Sequence, residues 1–226
     1  MKIFKIRSQK PLEDRMFFSL LELIEEEDRK QILRYQFWQD RQRSLLGHLL
    51  SRYAIIQEYA LTNKEIQIRR HAYGKPYIKD YSQIHYNISH SGEWVVVAIG
   101  KSPIGIDVEN RREDWDLIGE RVFSESEKYW SQNSYKRKAI LWTIKEAYVK
   151  YLGIGLSKSL NSFSIDIKRR IITEIQKPFQ TSFDYFVLDN DYVCSECGYA
   201  KGAYYSRKVC QAELDTFITS VLDISY

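Results

Sequence analysis

Acidic side chains in one short segment have a spacing that could bring their carboxylates together around a cation. Residues 104–109 read IGIDVE, and in a strand Asp107 and Glu109 would project from the same face because alternate side chains do. Such a pair suits Mg²⁺, which takes carboxylate oxygens and fills its other positions with water and phosphate. The same spacing is also common on the solvated side of an edge strand, so the pattern alone leaves both interpretations open.

A predicted helix over residues 135–151 adds a third carboxylate and a lysine. Its apolar positions recur at the helical period and define one core face. On the opposite face, Trp142, Glu146 and Lys150 follow one another at helical intervals. Glu146 and Lys150 alone would be read as a surface ion pair, but a tryptophan beside them indicates that this face is covered. We therefore expect a cleft here, in which three carboxylates, an ammonium group and one Mg²⁺ would serve phosphoryl-type transfer.

Helices precede strands in both halves of the chain, and this order predicts the frame around these residues. In the first half we predict two helices between residues 25 and 60, then strands over 76–78, 84–88, 94–99 and 104–108. A polar break inside a hairpin is expected at Ser89, His90, Ser91 and Gly92. In the second half we predict helices from about residue 126 and over 135–151, then strands over 163–167, 171–175, 183–188 and 192–197.

This order predicts an α+β fold. We expect a pseudo-dimer of two similar helix-plus-antiparallel-sheet halves, residues 1–104 and 105–226, packed together in one chain. The groove between the halves is then the natural ligand site. A single chain would supply both walls of that groove, so a monomer is expected.

Composition limits the kind of protein this is. The 226 residues carry 34 basic and 30 acidic side chains, and a net charge of +4 is too balanced for binding nucleic acid by neutralising many phosphates. The longest apolar run, residues 94–99, is far shorter than the roughly 20 residues of a membrane span. The N-terminal residues show no secretory signal, so we expect a cytoplasmic protein. Cys194 and Cys197 are expected to lie in a strand, because a structural zinc site usually needs four ligands.

The motifs together resemble the 4′-phosphopantetheinyl transferase superfamily, in particular the two-halved type that activates peptide synthetases. The family signature joins a G-x-D strand to a W-x-x-K-E-x-x-x-K helix. Here it reads Gly105-Ile106-Asp107 with Glu109, and Trp142-Thr143-Ile144-Lys145-Glu146 with Lys150. Further matches are Gly74-Lys75-Pro76, Asn87-Ile88-Ser89-His90-Ser91, Phe123-Ser124 with Glu127, and Arg43-Ser44-Leu45-Leu46-Gly47.

The resemblance implies an enzyme that moves the 4′-phosphopantetheine arm of coenzyme A to a serine of an apo acyl or peptidyl carrier protein, releasing adenosine 3′,5′-bisphosphate. It implies that Asp107, Glu109 and Glu146 bind Mg²⁺. It makes Lys150 the group that neutralises the leaving phosphate, and Glu146, with Glu127 as the alternative, the group that accepts the serine proton. It also implies contacts of the coenzyme A phosphates with Lys75, Ser89, His90 and Ser44.

Residues 28 and 31 depart from the family pattern. Relatives of this type carry basic residues that help to bind the 3′-phosphate there, whereas this chain has Asp28 and Gln31. The candidates to replace them are Arg29, Lys30 and Arg34.

The carrier protein is expected to meet the second half. Carrier domains are typically acidic around their serine, and residues 136–138 and 153–156 offer lysines and apolar side chains beside the predicted metal site.

Two other classes of protein stay open at this point. One is a Mg²⁺-dependent phosphohydrolase that uses the same carboxylates with water as nucleophile. The other is a binding module without catalytic activity.

Overall fold

The described residues, 1–174, 180–198 and 208–224, form two α+β lobes in this computed structural model. Residues up to 100 supply β1 (Lys2–Arg7), α1 (Asp14–Leu21), α2 (Glu26–Leu33), α3 (Trp38–Tyr59), β2 (Ile68–Arg70), β3 (Pro76–Ile78), β4 (His85–Ser91) and β5 (Trp94–Gly100). Later residues supply β6 (Ile104–Asn110), α4 (Asp116–Val122), α5 (Glu125–Ser131), α6 (Tyr135–Leu152), β7 (Phe163–Asp166), β8 (Ile171–Glu174), β9 (Thr181–Val187), β10 (Tyr192–Gly198), β11 (Lys208–Ala212) and α7 (Leu214–Ile224).

Each lobe is built on its own sheet. The first sheet has the strand order β11-β1-β5-β4, in which β1 is antiparallel to β5 and parallel to β11. The second sheet has the order β6-β10-β9-β8-β7, and its neighbouring strands are antiparallel. Strands β2 and β3 form a separate small ladder. The predicted α+β architecture of two helix-plus-sheet halves is confirmed.

Strand β5 joins two hydrophobic cores, which explains its unbroken apolar sequence. Val95, Val97 and Ile99 pack into the core beneath α3 and α7. The alternate residues Trp94, Val96 and Ala98 pack against β6 and β10 of the second lobe. A strand that is buried on both faces has no polar position, so its sequence loses the alternation of a half-exposed strand.

Helix α6 has clear local signals at both ends. The side chain of Ser134 accepts a hydrogen bond from the backbone N–H of Arg137, which caps the first turn. Gly153 ends the helix in the left-handed conformation at φ 71°, which costs glycine no steric strain. The helix thus reaches from the predicted carrier-facing lysines to the cleft.

The two lobes meet where β4 runs beside β6. The side chain of Asn87 accepts a hydrogen bond from the Ile106 N–H at 2.9 Å, and that of Ser89 accepts one from the Val108 N–H at 3.3 Å. Gly105 lets β6 approach the end of α6, where a Cβ would lie 1.9 Å from the Ala147 carbonyl oxygen. These contacts fix the acidic strand against both its own helix and the other lobe.

Two details of the predicted organisation are wrong. Ser89, His90 and Ser91 are the last residues of β4 rather than a polar break, and the hairpin turns at residues 92–93. Residues 208–224 do not belong to the second half as predicted, because β11 pairs with β1 and α7 packs into the first core. The pairing partner of β11 lies about 200 positions away in the sequence, so no local pattern could indicate it. Residue 175, the predicted end of a strand, lies outside the described residues.

Among the described helices, none combines the length and the apolar character that crossing a bilayer requires.

Gly105→Ala is expected to lower the free energy of unfolding by at least ~2 kcal/mol, because overpacking against a backbone cannot be relieved by a rotamer change. The added Cβ would also lie 2.4 Å from the Tyr151 amide nitrogen. Gly100→Ala is the matched control, since its Cβ would meet the Met1 Cα at an ordinary 3.8 Å. Urea unfolding compares the two variants. Equal stability would contradict the close approach of β6 to α6.

Candidate active site

A cavity of about 520 Å³ is lined by residues of both lobes. One wall comes from α2, α3 and β2 to β4, and the other comes from β6 and α6. The cavity collects most of the side chains that the sequence singled out. They are Ser44, Ser89, His90, Asp107, Glu109, Trp142, Glu146 and Lys150.

Asp107 is the most buried acid of this cleft, with 3% of its surface exposed. Its Oδ1 accepts hydrogen bonds from Ser89 Oγ at 2.8 Å and from Lys150 Nζ at 2.6 Å. Burial raises the pKa of Asp107, although Lys150 and Ser89 oppose the shift. Its Oδ2 is buried without a hydrogen-bond partner. A buried carboxylate oxygen without a partner is costly, and a bound cation would satisfy it.

The two other predicted metal ligands, Glu109 and Glu146, lie in the same cleft, and the charge of Asp107 raises the pKa of both. Burial, with the negative charge of Asp107, raises the pKa of Glu109 to about 7. Burial and Asp107 also raise the pKa of Glu146, which Lys150 partly opposes. The negative charge of Asp107 thus repels the other two carboxylates. A divalent cation bound between them would neutralise this repulsion.

The three carboxylates are not closed around a common point. Within residues 1–174, 180–198 and 208–224, no group of three His, Cys, Asp or Glu side chains is arranged to hold a metal ion. The ammonium group of Lys150 lies instead against Asp107. The residue types and the unpartnered Asp107 oxygen fit a hard cation, but one that binds here would need these side chains to converge further.

Trp142 is half-buried and packs against the core of its own lobe. Its ring stacks on Trp115 with centroids 5.6 Å apart, and both side chains belong to the core of the second lobe or pack against it. Trp142 also lines the cleft, and its Nε1 is buried without a partner. The tryptophan therefore forms part of the cleft wall beside Glu146.

The first lobe contributes hydroxyl and imidazole groups to the cleft. Ser89 Oγ links the lobes, because Lys150 Nζ donates to it at 2.9 Å while it donates to Asp107. Burial on the packed side of His90, with the positive charges of Arg43 and Lys150, lowers the pKa of its ring to about 4. His90 is thus a neutral hydrogen-bonding group at neutral pH, and part of it stays exposed.

Contrary to the prediction, Lys75 does not line the cleft. Its ammonium group donates to three backbone carbonyls, those of Ile104 at 3.1 Å, Lys150 at 2.7 Å and Tyr151 at 2.8 Å. Burial lowers its pKa to about 8. With its donors directed at the end of α6, Lys75 joins the two lobes rather than facing a phosphate.

Glu127, the alternative proton acceptor, also lies away from the cleft. Its Oε2 accepts from the Ser124 N–H at 2.8 Å and lies 3.1 Å from Lys145 Nζ, and its Oε1 accepts from the Ile165 N–H at 2.9 Å. Glu127 is only 2% exposed. Its carboxylate is fully used in joining α5, α6 and β7, so Glu127 is a structural residue.

Sequence reasoning missed the two basic cleft residues Arg70 and His48 of the first lobe. Both contact Asp28: Arg70 Nη2 donates to Oδ1 at 2.6 Å, and His48 Nδ1 lies 3.4 Å from Oδ2. Asp28 and Arg70 are 42 positions apart, and only the packing of α2 beside β2 brings them together. The departure from the family pattern at residue 28 was the one sequence signal of a difference at this end of the cleft.

A larger cavity of about 1140 Å³ lies elsewhere and contains none of the predicted site residues. Its lining includes Gly198 and Lys208, which flank residues 199–207 outside the described part of the chain.

The fold and the cleft define the class of this chain: a two-lobed α+β protein in which acids and a lysine of one lobe face hydroxyl, imidazole and guanidinium groups of the other. Residues 9–102 match the family model described as 4′-phosphopantetheinyl transferase, N-terminal. Residues 103–197 match the one described as 4′-phosphopantetheinyl transferase superfamily. The chain therefore belongs to the 4′-phosphopantetheinyl transferase superfamily.

Relatives from three bacteria support this assignment. The chain is 33% identical to 4′-phosphopantetheinyl transferase Sfp of Bacillus subtilis (strain 168), over 100% of this chain and 98% of the relative. It is 42% identical to 4′-phosphopantetheinyl transferase gsp of Aneurinibacillus migulanus, over 73% of this chain and 70% of the relative. It is 38% identical to 4′-phosphopantetheinyl transferase psf-1 of Bacillus pumilus, over 73% and 74% of the two chains.

Lys145→Met is expected to lower the free energy of unfolding by about 3–5 kcal/mol, because it leaves the buried carboxylate of Glu127 without its cation. Lys145→Met combined with Glu127→Gln should recover part of this loss. Lys136→Met, at an exposed position of the same helix, is the control and should change stability little. Denaturant unfolding measures all three. A Lys145→Met protein as stable as the control would show that the pair is not needed.

Proposed function

We propose that this chain is a 4′-phosphopantetheinyl transferase that moves the phosphopantetheine arm of coenzyme A to a serine of an apo carrier protein and releases adenosine 3′,5′-bisphosphate. One observation carries the proposal: in a chain of this superfamily, Asp107 and Lys150 of one lobe meet Ser89 of the other in a cleft. The transfer needs a nucleophile's proton removed and a phosphate's charge neutralised, and the cleft contains groups for both tasks.

We propose that Asp107, Glu109 and Glu146 bind Mg²⁺. The unpartnered Oδ2 of Asp107 and the mutual repulsion of the carboxylates support this assignment. When bound, the ion would supply positive charge to the coenzyme A pyrophosphate. Because the pKa of Glu109 is raised to about 7, protons compete with the cation for this ligand at lower pH, and the cation is favoured as the pH rises.

The side chains of the cleft can each take one part of the transfer. The serine Oγ of the carrier forms a bond to the phosphorus that bears the pantetheine arm, and the bond from that phosphorus to the bridging oxygen breaks. Glu146, whose raised pKa makes it a better proton acceptor, takes the serine proton directly or through water. Lys150 neutralises the charge that develops on the leaving phosphate. Ser44 and His90 donate hydrogen bonds to the phosphates of coenzyme A, whereas the Ser89 hydroxyl, which donates to Asp107, positions that carboxylate and Lys150.

We propose that the carrier protein binds beside the N-terminal half of α6. Lys136 and Arg137 are exposed there, and the nearby side chains of Leu117, Tyr129 and Tyr135 are exposed by 80%, 76% and 52%. Lys138 contributes less, because its ammonium group is paired with Asp116. The second predicted segment, 153–156, follows the end of α6 on the cleft side of the lobe, and the side chain of residue 156 lies outside the described residues.

Since one chain forms both walls of the cleft, we propose that the enzyme is a monomer.

The decisive experiment incubates the protein with coenzyme A, Mg²⁺ and a panel of apo carrier proteins. Mass spectrometry should find carriers heavier by one phosphopantetheine arm. Asp107→Ala should lower kcat/KM at least ~100-fold, because it removes a ligand of the proposed Mg²⁺ ion and the carboxylate that holds Lys150 and Ser89 in place. Asp14→Ala, at an exposed position outside the cleft, is the control and should leave kcat/KM unchanged. Free phosphopantetheine with unmodified carriers would identify a hydrolase instead. Full transfer by the Asp107→Ala variant would show that the cleft is not the active site.

Lys136→Glu is expected to raise the KM for an acidic carrier protein about tenfold, because it reverses a charge at the proposed docking surface. The affinity for coenzyme A should not change. Lys168→Glu makes the same change of charge at another exposed position of the second lobe and serves as the control. Steady-state kinetics with varied carrier concentration measures both variants, and an unchanged carrier KM in Lys136→Glu would place docking elsewhere.

A further inference from the structure

The ammonium group of Lys75 is held by three backbone carbonyls of the second lobe. It donates to the carbonyl oxygens of Lys150 at 2.7 Å, Tyr151 at 2.8 Å and Ile104 at 3.1 Å. Lys150 and Tyr151 lie in the last turn of α6, and Ile104 is the first residue of β6. One side chain of the first lobe thus joins the backbones of the two elements that carry Lys150 and Asp107.

A tight turn fixes the backbone of Lys75 before its side chain crosses to the other lobe. The Gly74 N–H donates to the His71 carbonyl oxygen at 2.8 Å, and the His71 N–H donates to the Lys75 carbonyl oxygen at 2.9 Å. Gly74 has a φ of 85°, a conformation that glycine adopts without strain. Pro76 follows, and its ring restricts the next φ. The lysine therefore extends from a backbone whose conformation is determined on both sides.

The contacts of Lys75 give α6 a C-terminal cap that comes from the other lobe. The last four carbonyls of a helix have no partner within the helix. In α6 the Val149 carbonyl oxygen accepts from the Gly153 N–H at 3.0 Å, and Lys75 is the donor to the next two carbonyls. A Cβ on Gly153 would lie 2.7 Å from the Lys75 Cδ, so this glycine leaves room for the lysine chain. The end of α6 is thereby held at one position along the helix axis.

A phosphate contact and a positioning role require different surroundings for Lys75. A phosphate ligand needs N–H donors that face the cleft, whereas the three donors of this ammonium group have carbonyl partners and Lys75 does not line the cleft. Burial lowers the pKa of Lys75 to about 8, as expected for an ammonium group removed from water. A helix that ends at a glycine can satisfy its carbonyls with the backbone N–H groups that follow, so the fold alone does not require a buried lysine here.

Lys150 is the cleft residue that depends most directly on this contact. Its carbonyl is held by Lys75, while its own ammonium group donates to Asp107 at 2.6 Å and to Ser89 at 2.9 Å. Asp107 lies three residues after Ile104, which the same lysine holds. A shift of α6 along its axis would therefore move Lys150 relative to the acids of β6. Misplacement of a catalytic group by about 1 Å can lower a rate about 100-fold.

We propose that Lys75 is a positioning residue of the transfer reaction, which sets the place of Lys150 by holding the end of α6 against β6, and that it does not bind coenzyme A. The assignment rests on the proposed function. Its kinetic consequence is the opposite of that of a phosphate contact. Loss of a phosphate ligand weakens coenzyme A binding, whereas loss of a positioning residue slows the chemical step.

Lys75→Met is expected to slow single-turnover transfer at saturating coenzyme A by about 10- to 100-fold, and to change the dissociation constant of coenzyme A by less than about threefold. Calorimetry with coenzyme A and Mg²⁺ gives this constant together with the fraction of protein that binds, so the rate refers to folded protein only. Lys75→Gln, which keeps N–H donors without the charge, should show a smaller loss of rate at the same affinity. Weaker coenzyme A binding with an unchanged rate would overturn the assignment.

Lys79→Met is the matched control for these measurements. Lys79 is exposed, lies four residues from Lys75 and does not line the cleft. The variant removes one ammonium group from the same part of the first lobe, so it should keep both the rate and the affinity. An equal loss of rate in Lys79→Met would overturn the assignment, because it would show an effect of net charge rather than of position.

A cycle of variants tests whether Lys75 acts through Lys150. In a Lys150→Met protein, the additional change Lys75→Met should slow transfer by no more than about twofold, because the group that Lys75 positions is already absent. Two effects that multiply in full would overturn the assignment, since they would show that the two lysines act independently.

Hydrogen exchange of the full chain gives a readout that does not depend on transfer. Lys75→Met should make the N–H groups of residues 147–153 exchange at least about fivefold faster, because the last turn of α6 loses its cap, and Lys79→Met should not. Unchanged exchange in Lys75→Met would overturn the assignment. Faster exchange in a protein that modifies no carrier would instead reject the proposed function, and the positioning role with it.

Discussion

The cleft depends on hydrogen bonds that two side chains of one lobe make to the backbone of the other. Asn87 and Ser89 accept from successive outward N–H groups of β6, so β4 takes the place of a neighbouring strand without forming a regular ladder. A buried N–H that loses its acceptor costs about 1–3 kcal/mol, which makes this junction specific in register as well as stable. Because Asp107 lies between the two N–H groups, its depth in the cleft follows from the same contacts.

This register brings charges together that would otherwise avoid one another. Asp107, Glu109 and Glu146 line one cleft, where burial raises the pKa of all three and the charge of Asp107 raises the pKa of Glu109 and Glu146 further. Lys150 compensates only part of that charge, since the pKa values of the acids stay raised despite it. The cleft therefore has an excess of carboxylates over ammonium groups, which a cation with its phosphate ligand would balance. The close packing of β6 on α6 at Gly105 keeps the acids of these two elements near one another.

The sequence was sufficient wherever a local period carried the information. Helical spacing predicted α6 and its polar face, and the two-residue period of β6 predicted that Asp107 and Glu109 face the same cleft. It was insufficient where a polar side chain had to be given a partner. Lys75 and Glu127 belong to family motifs, yet the side chains of both form hydrogen bonds with backbone groups that become their neighbours only in the folded chain. The pairing of Arg70 with Asp28 depends on tertiary packing in the same way.

Several of the motif residues act by permitting close packing rather than by chemistry. Gly105 leaves room for the backbone at the end of α6, and a Cβ on Gly153 would lie 2.7 Å from the Lys75 side chain. The glycines thus allow Lys75 to reach the last carbonyls of α6, where a helix carries partial negative charge. That end of the helix holds two lysines with separate tasks, because Lys75 satisfies the carbonyls and Lys150 is left to face the acids. The G-x-D strand and the G-K-P turn therefore act together to set the position of α6 between the two lobes.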